Sequence, residues 1–152
     1  MTKITSTSKK GIDLIKSYEG FSSKPYLCPA NVVTIGYGTT RYPNGVKITL
    51  KDAPITEAKA LEYLMFDMMS FERNVDAYCR DDINQNQFDA LVSFCYNVGP
   101  NSLKASTLLK KVNINPNDPS IANEFAKWNK GAGRVLKGLV RRRKEEAQLY
   151  FS

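Results

Sequence analysis

Within "SYEGFSSKPYLCPANVVTIGYGTT", residues 17–40, the chain sets Glu19, Cys28 and Thr34 at intervals of nine and six residues, among glycines and prolines that change the backbone type twice. A carboxyl group can lend a proton, a thiol can take one or attack, and a hydroxyl can hold a water between them. The chain contains no histidine. Hydrolases built on a histidine base, HExxH proteases and histidine-ligated zinc amidases are therefore excluded, and acid-base work falls to carboxylates, thiols, lysines or tyrosines. A glutamate at a helix end is ordinarily a solvated surface residue. Here Tyr18 and Phe21 flank it and the chain turns at Pro25 and Pro29. A loop folding back over the helix end would shield the carboxyl and raise its pKa toward that of a general acid.

The elements that must hold these groups are legible in outline. Residues 8–19 carry Ile12, Ile15 and Tyr18 on one helical stripe, with Ser8 as N-cap and Gly20 as the stop, so Glu19 falls on the last turn, where the helix dipole disfavours an anion. "VVTIGYG" is β-branched and glycine-bearing, and Asn44-Gly45 supplies a turn, which predicts a hairpin or small sheet over 32–50. Thr56 caps a long helix to about Tyr78, with Ala60, Leu64, Met68 and Phe71 at helical spacing; it is long enough to bridge two lobes. Asn84 and Gln87 form a capping box for a helix to about Asn97, closed by Gly99 and Pro100. Helical patterns continue in "NSLKASTLLKKV", "PSIANEFAKWNK" and "GLVRRRKEEAQLYF". The fold class expected is α+β: one domain, with an α/β lobe over about 12–55, a connecting helix over 56–80, and a helical lobe of 81–152 plus the N-terminal helix.

The chain's 152 residues suffice for one real core, and a composition 42% hydrophobic and 24% charged is that of a folded protein. No apolar run is long enough for a membrane span, and "MTKITSTSKKG" lacks the apolar core of a signal peptide, so the expectation is a protein made and folded in the cytoplasm without stable membrane insertion. Cys28, Cys79 and Cys95 match no disulfide or zinc framework and are read as free thiols. The net charge of +7 attracts polyanions, whether nucleic acid, acidic lipid or an anionic wall. The "RRRK" run at 141–144 reads as a solvated basic face, or as a group with one arginine buried against an acid such as Glu19, or as facing a polyanion. Phe88, Leu91, Val92, Cys95 and Tyr96 are in register for a core. Asn97 is an amide at a helix end that could face a cleft, and Tyr37 and Trp128 suit either packing or sugar stacking.

Taken together, these motifs resemble the phage-type lysozymes, the endolysin muramidases of glycoside hydrolase family twenty-four. That family ends its first helix on a catalytic glutamate, places an aspartate or sometimes a cysteine nine residues on, and a threonine six residues further. Glu19, Cys28 and Thr34 stand at those spacings, the threonine opens "TIGYGTT", and "QFDALVSFCYNVG", "STLLKKVN", "KWNKGAG" and "GLVRRRKEE" succeed one another in family order over residues 8–150. The resemblance implies a lysozyme-like fold with a cleft between its lobes, and hydrolysis of the β-1,4 bond between N-acetylmuramic acid and N-acetylglucosamine in peptidoglycan. Glu19 would protonate the departing oxygen, Cys28 would help a water attack or attack itself, and Thr34 would position that water. Arg141, or Arg142 by a one-residue slip, would pair with Glu19, Asn97 would hold the sugar, and Gly36 and Gly38, flanking Tyr37, would let the backbone approach substrate. It further implies a monomer with no metal or organic cofactor, acting on the wall and freed through a pore made by a holin-like protein.

A thiol in the second position suspends the carboxylate-separation rule for stereochemistry, and at pH 7 an unperturbed thiol is only about 3% ionised. A lytic transglycosylase is the competing enzyme, though it has no need of a water-handling pair. A basic nucleic-acid-binding module is the competing class, but no basic stripe with interleaved aromatics supports it, so no nucleic-acid partner is expected.

Overall fold

The computed structural model describes residues 3–152. In chain order it contains α1 (Lys9–Glu19), β1 (Ser22–Leu27), β2 (Val33–Gly36), α2 (Glu57–Tyr78), α3 (Gln85–Val98), α4 (Pro100–Ala105), α5 (Thr107–Ile114), α6 (Ile121–Ala126), β3 (Lys130–Gly131), β4 (Arg134–Val135) and α7 (Lys137–Tyr150). Two compact units emerge. One is Leu14–Ser70; the other joins the residues up to Asp13 with Phe71–Ser152. The divisions fall inside α1 and α2, so each of these helices contributes to both units.

In the first unit, β1 pairs antiparallel with β2 in the register Tyr26↔Thr34 and Leu27↔Val33, with an irregularity between Ser22 and Tyr26. The expected hairpin was downstream, over 32–50, but the partner of "VTIG" lies upstream. Pro25 is what hides it: a proline argues against a strand, yet it is accommodated at a register break where its missing N–H leaves no ladder bond unmade. The Asn44-Gly45 turn is present, closed by an isolated bridge between Arg41 and Lys47. Behind the strands, α2 buries Ala60, Leu64 and Met68, and Thr56 accepts the Lys59 N–H at 3.1 Å as the anticipated cap.

Asp67, on the same helix, is half-buried, and desolvation pushes its carboxyl up to about 6. The folded chain therefore holds this proton more tightly than the unfolded one, and stability is lost as pH rises from about 4 through 6. For a half-exposed group, solvent screening reduces that loss to about 1–2 kcal/mol. Urea denaturation of Asp67→Asn should show its stability gain over wild type absent at pH 4 and present at pH 7.

In the second unit, α3 is the central helix. Its capping box is in place, with the Asn84 side chain accepting from Gln87 N and the Gln87 side chain from Asn84 N, and residues 87–95 are all buried. Ser8 begins α1 as expected, but its hydroxyl does not cap that helix. It donates to buried Asp89 of α3, which also accepts the Ser8 N–H at 3.0 Å and the Gln85 amide at 2.8 Å. "NSLKASTLLKKV" is two helices, not one: Ser106 ends α4 and, accepting from Leu109 N at 3.1 Å, starts α5. "KWNK" leaves the helix for a short ribbon, β3–β4, turned by Ala132 and Gly133, both at positive φ as a two-residue hairpin requires.

The basic run lies on α7, which starts at Lys137, one residue before Gly138. Arg142 and Arg143 are buried around equally buried Glu146, at 3.3 and 2.7 Å, and Ser93 of α3 donates to the same carboxylate at 2.6 Å. The Arg143 guanidinium also lies over the Phe94 ring, 5.1 Å from its centroid. Removing the shared acid takes a buried carboxylate away from two buried guanidiniums. Glu146→Ala should cost about 3–5 kcal/mol in urea denaturation, whereas Glu145→Ala, which breaks the exposed pair with Arg141, should stay within about 0.5 kcal/mol.

Candidate active site

Glu19 is the last residue of α1 and is half-buried. The helix stops there because Gly20 takes the left-handed conformation (φ 70°), its N–H returning to Lys16 O at 3.0 Å. Strand β1 begins two residues later, in place of the folded-back loop expected from the prolines.

Cys28 stands at the far end of β1, on the turn that reverses the chain. Its N–H donates to Val32 O at 3.0 Å and its carbonyl accepts from Asn31 N at 2.8 Å. Pro29 presets the second turn position, and Asn31 takes positive φ (64°), a conformation its short amide tolerates. The sulfur sits among donors. The Val32 backbone amide first, then the Thr34 hydroxyl and the amides around Ala30, hold the Cys28 thiol below its ordinary pKa, against a smaller opposing effect of desolvation. The side chain is neither fully buried nor fully exposed.

Thr34 is buried on β2, and its hydroxyl also lies 3.1 Å from Val32 O. One hydroxyl proton serves two acceptors: it can go to the Val32 carbonyl beside a neutral thiol and to the sulfur beside a thiolate. The structure thus brings Cys28 and Thr34 together on one hairpin, with the hydroxyl close enough to the sulfur to favour its thiolate.

The glycine motif has a different office from the one expected. Gly36 has φ 65°, and a Cβ there would come within 3.0 Å of Ala60 Cβ, so its lack of a side chain admits α2. Gly38 (φ 84°) completes the same turn, whose ends Ile35 and Thr39 exchange N–H···O bonds of 2.9 Å. Tyr37 at its tip is buried. Its hydroxyl donates to Glu57 at 2.7 Å, its ring meets Phe21 at 5.5 Å and Lys16 at 5.3 Å, and the Glu57 bond with burial pushes its pKa up to about 12. Tyr37 is thus packed within its own unit.

In the other unit, Asn97 is exposed near the end of α3 and lines an open pocket of about 360 Å³ with Lys127, Trp128, Lys130 and Arg143. Trp128 is half-buried, edge-on to Phe94 at 5.5 Å. Arg141 is the arginine that the expectation pairs with Glu19. Its side chain is exposed and reaches Glu145 at 3.2 Å, and the buried guanidiniums are those of Arg142 and Arg143. Sequence reading missed the acids that organise this unit, Asp89, Glu124 and Glu146. Glu146 had a usable signal in its spacing of three and four residues from two arginines, as did Glu124 in Lys127 three residues on. Among the described residues no cluster of side chains could hold a metal ion.

The Cys28 environment makes a test that needs no substrate. Alkylation by iodoacetamide follows the thiolate, so its half-maximal rate should fall below about pH 8.5. In Thr34→Val, which loses one donor and keeps the Val32 amide, that midpoint should move upward.

The chain is similar to proteins described as phage lysozyme, whose family model matches residues 16–146. It is 45% identical over 147 residues to the endolysin of Bacillus phage B103, covering 95% of this chain and 54% of that one. To the endolysin of Salmonella phage P22 it is 34% identical over 145 residues, covering 95% and 97%. The solved endolysin from Escherichia coli O157:H7 phage FAHEc1 superposes with a TM-score of 0.90 at 34% identity, covering 99% of this chain and 97% of that one. The chain spans about half the length of the Bacillus phage relative it matches.

Proposed function

The chain belongs to the phage lysozyme family and has its α+β fold, and on that premise we propose that it is an endolysin muramidase, hydrolysing the β-1,4 bond between N-acetylmuramic acid and N-acetylglucosamine. The observation that carries the reading is the thiol of Cys28, held toward its thiolate by the Val32 amide and the Thr34 hydroxyl, in the same compact unit as Glu19.

In this mechanism the Glu19 carboxyl delivers its proton to the glycosidic oxygen as the bond to the anomeric carbon breaks. The Cys28 thiolate takes a proton from a water that Thr34 orients, and the resulting hydroxyl adds to the anomeric carbon. Used instead as the nucleophile, the sulfur would bond to that carbon directly, and water would release the sugar in a second step. The base role inverts the anomeric centre, and the nucleophile role retains it through a thioglycoside. The Thr34 hydroxyl, able to serve a water as well as the sulfur, favours the base role. By the family resemblance, Asn97 would support the sugar, and Arg141, or Arg142 by a one-residue slip, would steady the Glu19 carboxylate. The substrate lies outside the cytoplasmic membrane, and the reading includes synthesis in the host cytoplasm, passage through a holin-like pore and release of progeny by lysis. No helix among the described residues is long and apolar enough to cross a membrane.

Turbidity assays on permeabilised Gram-negative cells test this directly. Glu19→Gln should lower kcat by about 10²–10⁴-fold, Cys28→Ala should nearly abolish clearing, and Cys28→Asp should retain a useful fraction. Fragments heavier by one water than anhydro products establish hydrolysis; anhydro products would identify a transglycosylase. Clearing by Cys28→Ala at the wild-type rate would remove the thiol from the mechanism.

A further inference from the structure

Side chains two apart on a strand share a face, and so do residues directly opposite across an antiparallel pair. Tyr26 lies opposite Thr34, and Cys28 is paired with Val32 at the turn. Tyr26, Cys28, Val32 and Thr34 therefore project from one face of the β1–β2 hairpin, while Leu27 and Val33 project from the other.

Exposure grades across this face. Thr34 is buried, Cys28 is half-buried, and the two positions flanking them are open: Tyr26 is 39% exposed and Val32 44%. Tyr37 and Tyr42 in the same unit commit their hydroxyls to Glu57 and Asp52, whereas Tyr26 has no carboxylate partner among the described residues. At a strand rise of about 3.4 Å per residue, its Cα is about 7 Å from that of Cys28. An aromatic ring with a free polar tip beside a reactive pair matches the chemistry of a pyranose, which offers an apolar C–H face rimmed by hydroxyls.

We propose that Tyr26 is a glycan-binding residue: its ring lies against the sugar next to the bond presented to Cys28 and Thr34. The inference rests on the muramidase reading and extends it to the recognition of a saccharide ring on the hairpin face. Val32 borders the same surface and excludes water on the other side of the sulfur.

The test is a split between KM and kcat on soluble, uncrosslinked peptidoglycan strands. Tyr26→Ala should raise KM about tenfold with kcat within about twofold, and Tyr26→Phe and Tyr26→Trp should restore KM to within about threefold of wild type. In a Glu19→Gln background, which should bind without cleaving, Tyr26→Ala should weaken strand binding by the same factor. The pH midpoint of Cys28 alkylation should not move, because a ring turned to solvent does not support the turn. An unchanged KM in Tyr26→Ala would overturn the inference, and so would a Tyr26→Phe variant as impaired as the alanine or a shifted alkylation midpoint. Wild-type protein that neither binds nor cleaves the strands would instead overturn the muramidase reading, and this inference with it; cleavage with unchanged KM in Tyr26→Ala would leave that reading standing.

Discussion

The reactive face depends on the register of one short hairpin, and that register is set where Cys28 and Val32 pair across the Pro29-Ala30-Asn31 turn. Strand side chains alternate, so a slip of one residue would carry Thr34 to the opposite face from the sulfur and replace it with Val33. Pro29 and Asn31 are the residues that forbid the slip, one by presetting its own φ and the other by adopting a positive φ at modest cost. The same turn aims the Val32 amide at the thiol. A single local geometry thus fixes both which groups face the sulfur and how acidic it is.

The rest of its unit holds that hairpin against a helix. Ile35 and Thr34 are buried, the Gly36 backbone comes close enough to Ala60 to exclude any side chain, and the Tyr37 hydroxyl ties the tip of the turn to Glu57 at the start of α2. Residues that look in sequence like a glycine-rich ligand loop are spent on rigidity. That is consistent with the chemistry proposed, because a thiol and a hydroxyl that must share a proton tolerate little drift. In the other unit, rigidity comes from a different source, buried charge. Glu146 with two arginines and Asp89 with Ser8 and Gln85 fix α7 and the start of α1 to α3 through directional contacts that apolar packing alone would not supply.

How far the sequence could be read depends on the range of the forces involved. The α2 and α3 boundaries were legible because Thr56, Asn84 and Gln87 act within one helical turn. The spacing of Glu19, Cys28 and Thr34 was legible as a motif, and the face shared by the last two is dictated once the strand pairing is known. That pairing was not legible, since Pro25 disguises β1 and nothing local reports a register break. Ser106 defeats a periodicity reading in the same way: one residue ends a helix and begins another while the apolar spacing runs on. The choice among Arg141, Arg142 and Arg143 was beyond sequence altogether, because burial on α7 is decided by Ser93 and Phe94, about fifty residues away in the chain.

Charge divides as unevenly as structure does. Of the 22 Lys and Arg and 15 Asp and Glu, residues 14–70 hold 6 and 5, leaving 16 and 10 for the other unit. Residues 127–144 alone carry eight cations and no acid. The unit that holds Glu19, Cys28 and Thr34 is nearly neutral, and the positive charge that would attract a polyanion belongs to the unit that lacks them. Salt screens the second without reaching the hydrogen bonds of the first, which act over contact distances in a partly desolvated turn. In the proposed function, wall association and bond cleavage would therefore respond to different variables, ionic strength for one and the protonation of Cys28 for the other. The neutrality around the thiol has its own consequence: its acidity is set by oriented backbone and hydroxyl dipoles rather than by a neighbouring cation, and dipoles fixed by the turn are insensitive to the ions of the medium.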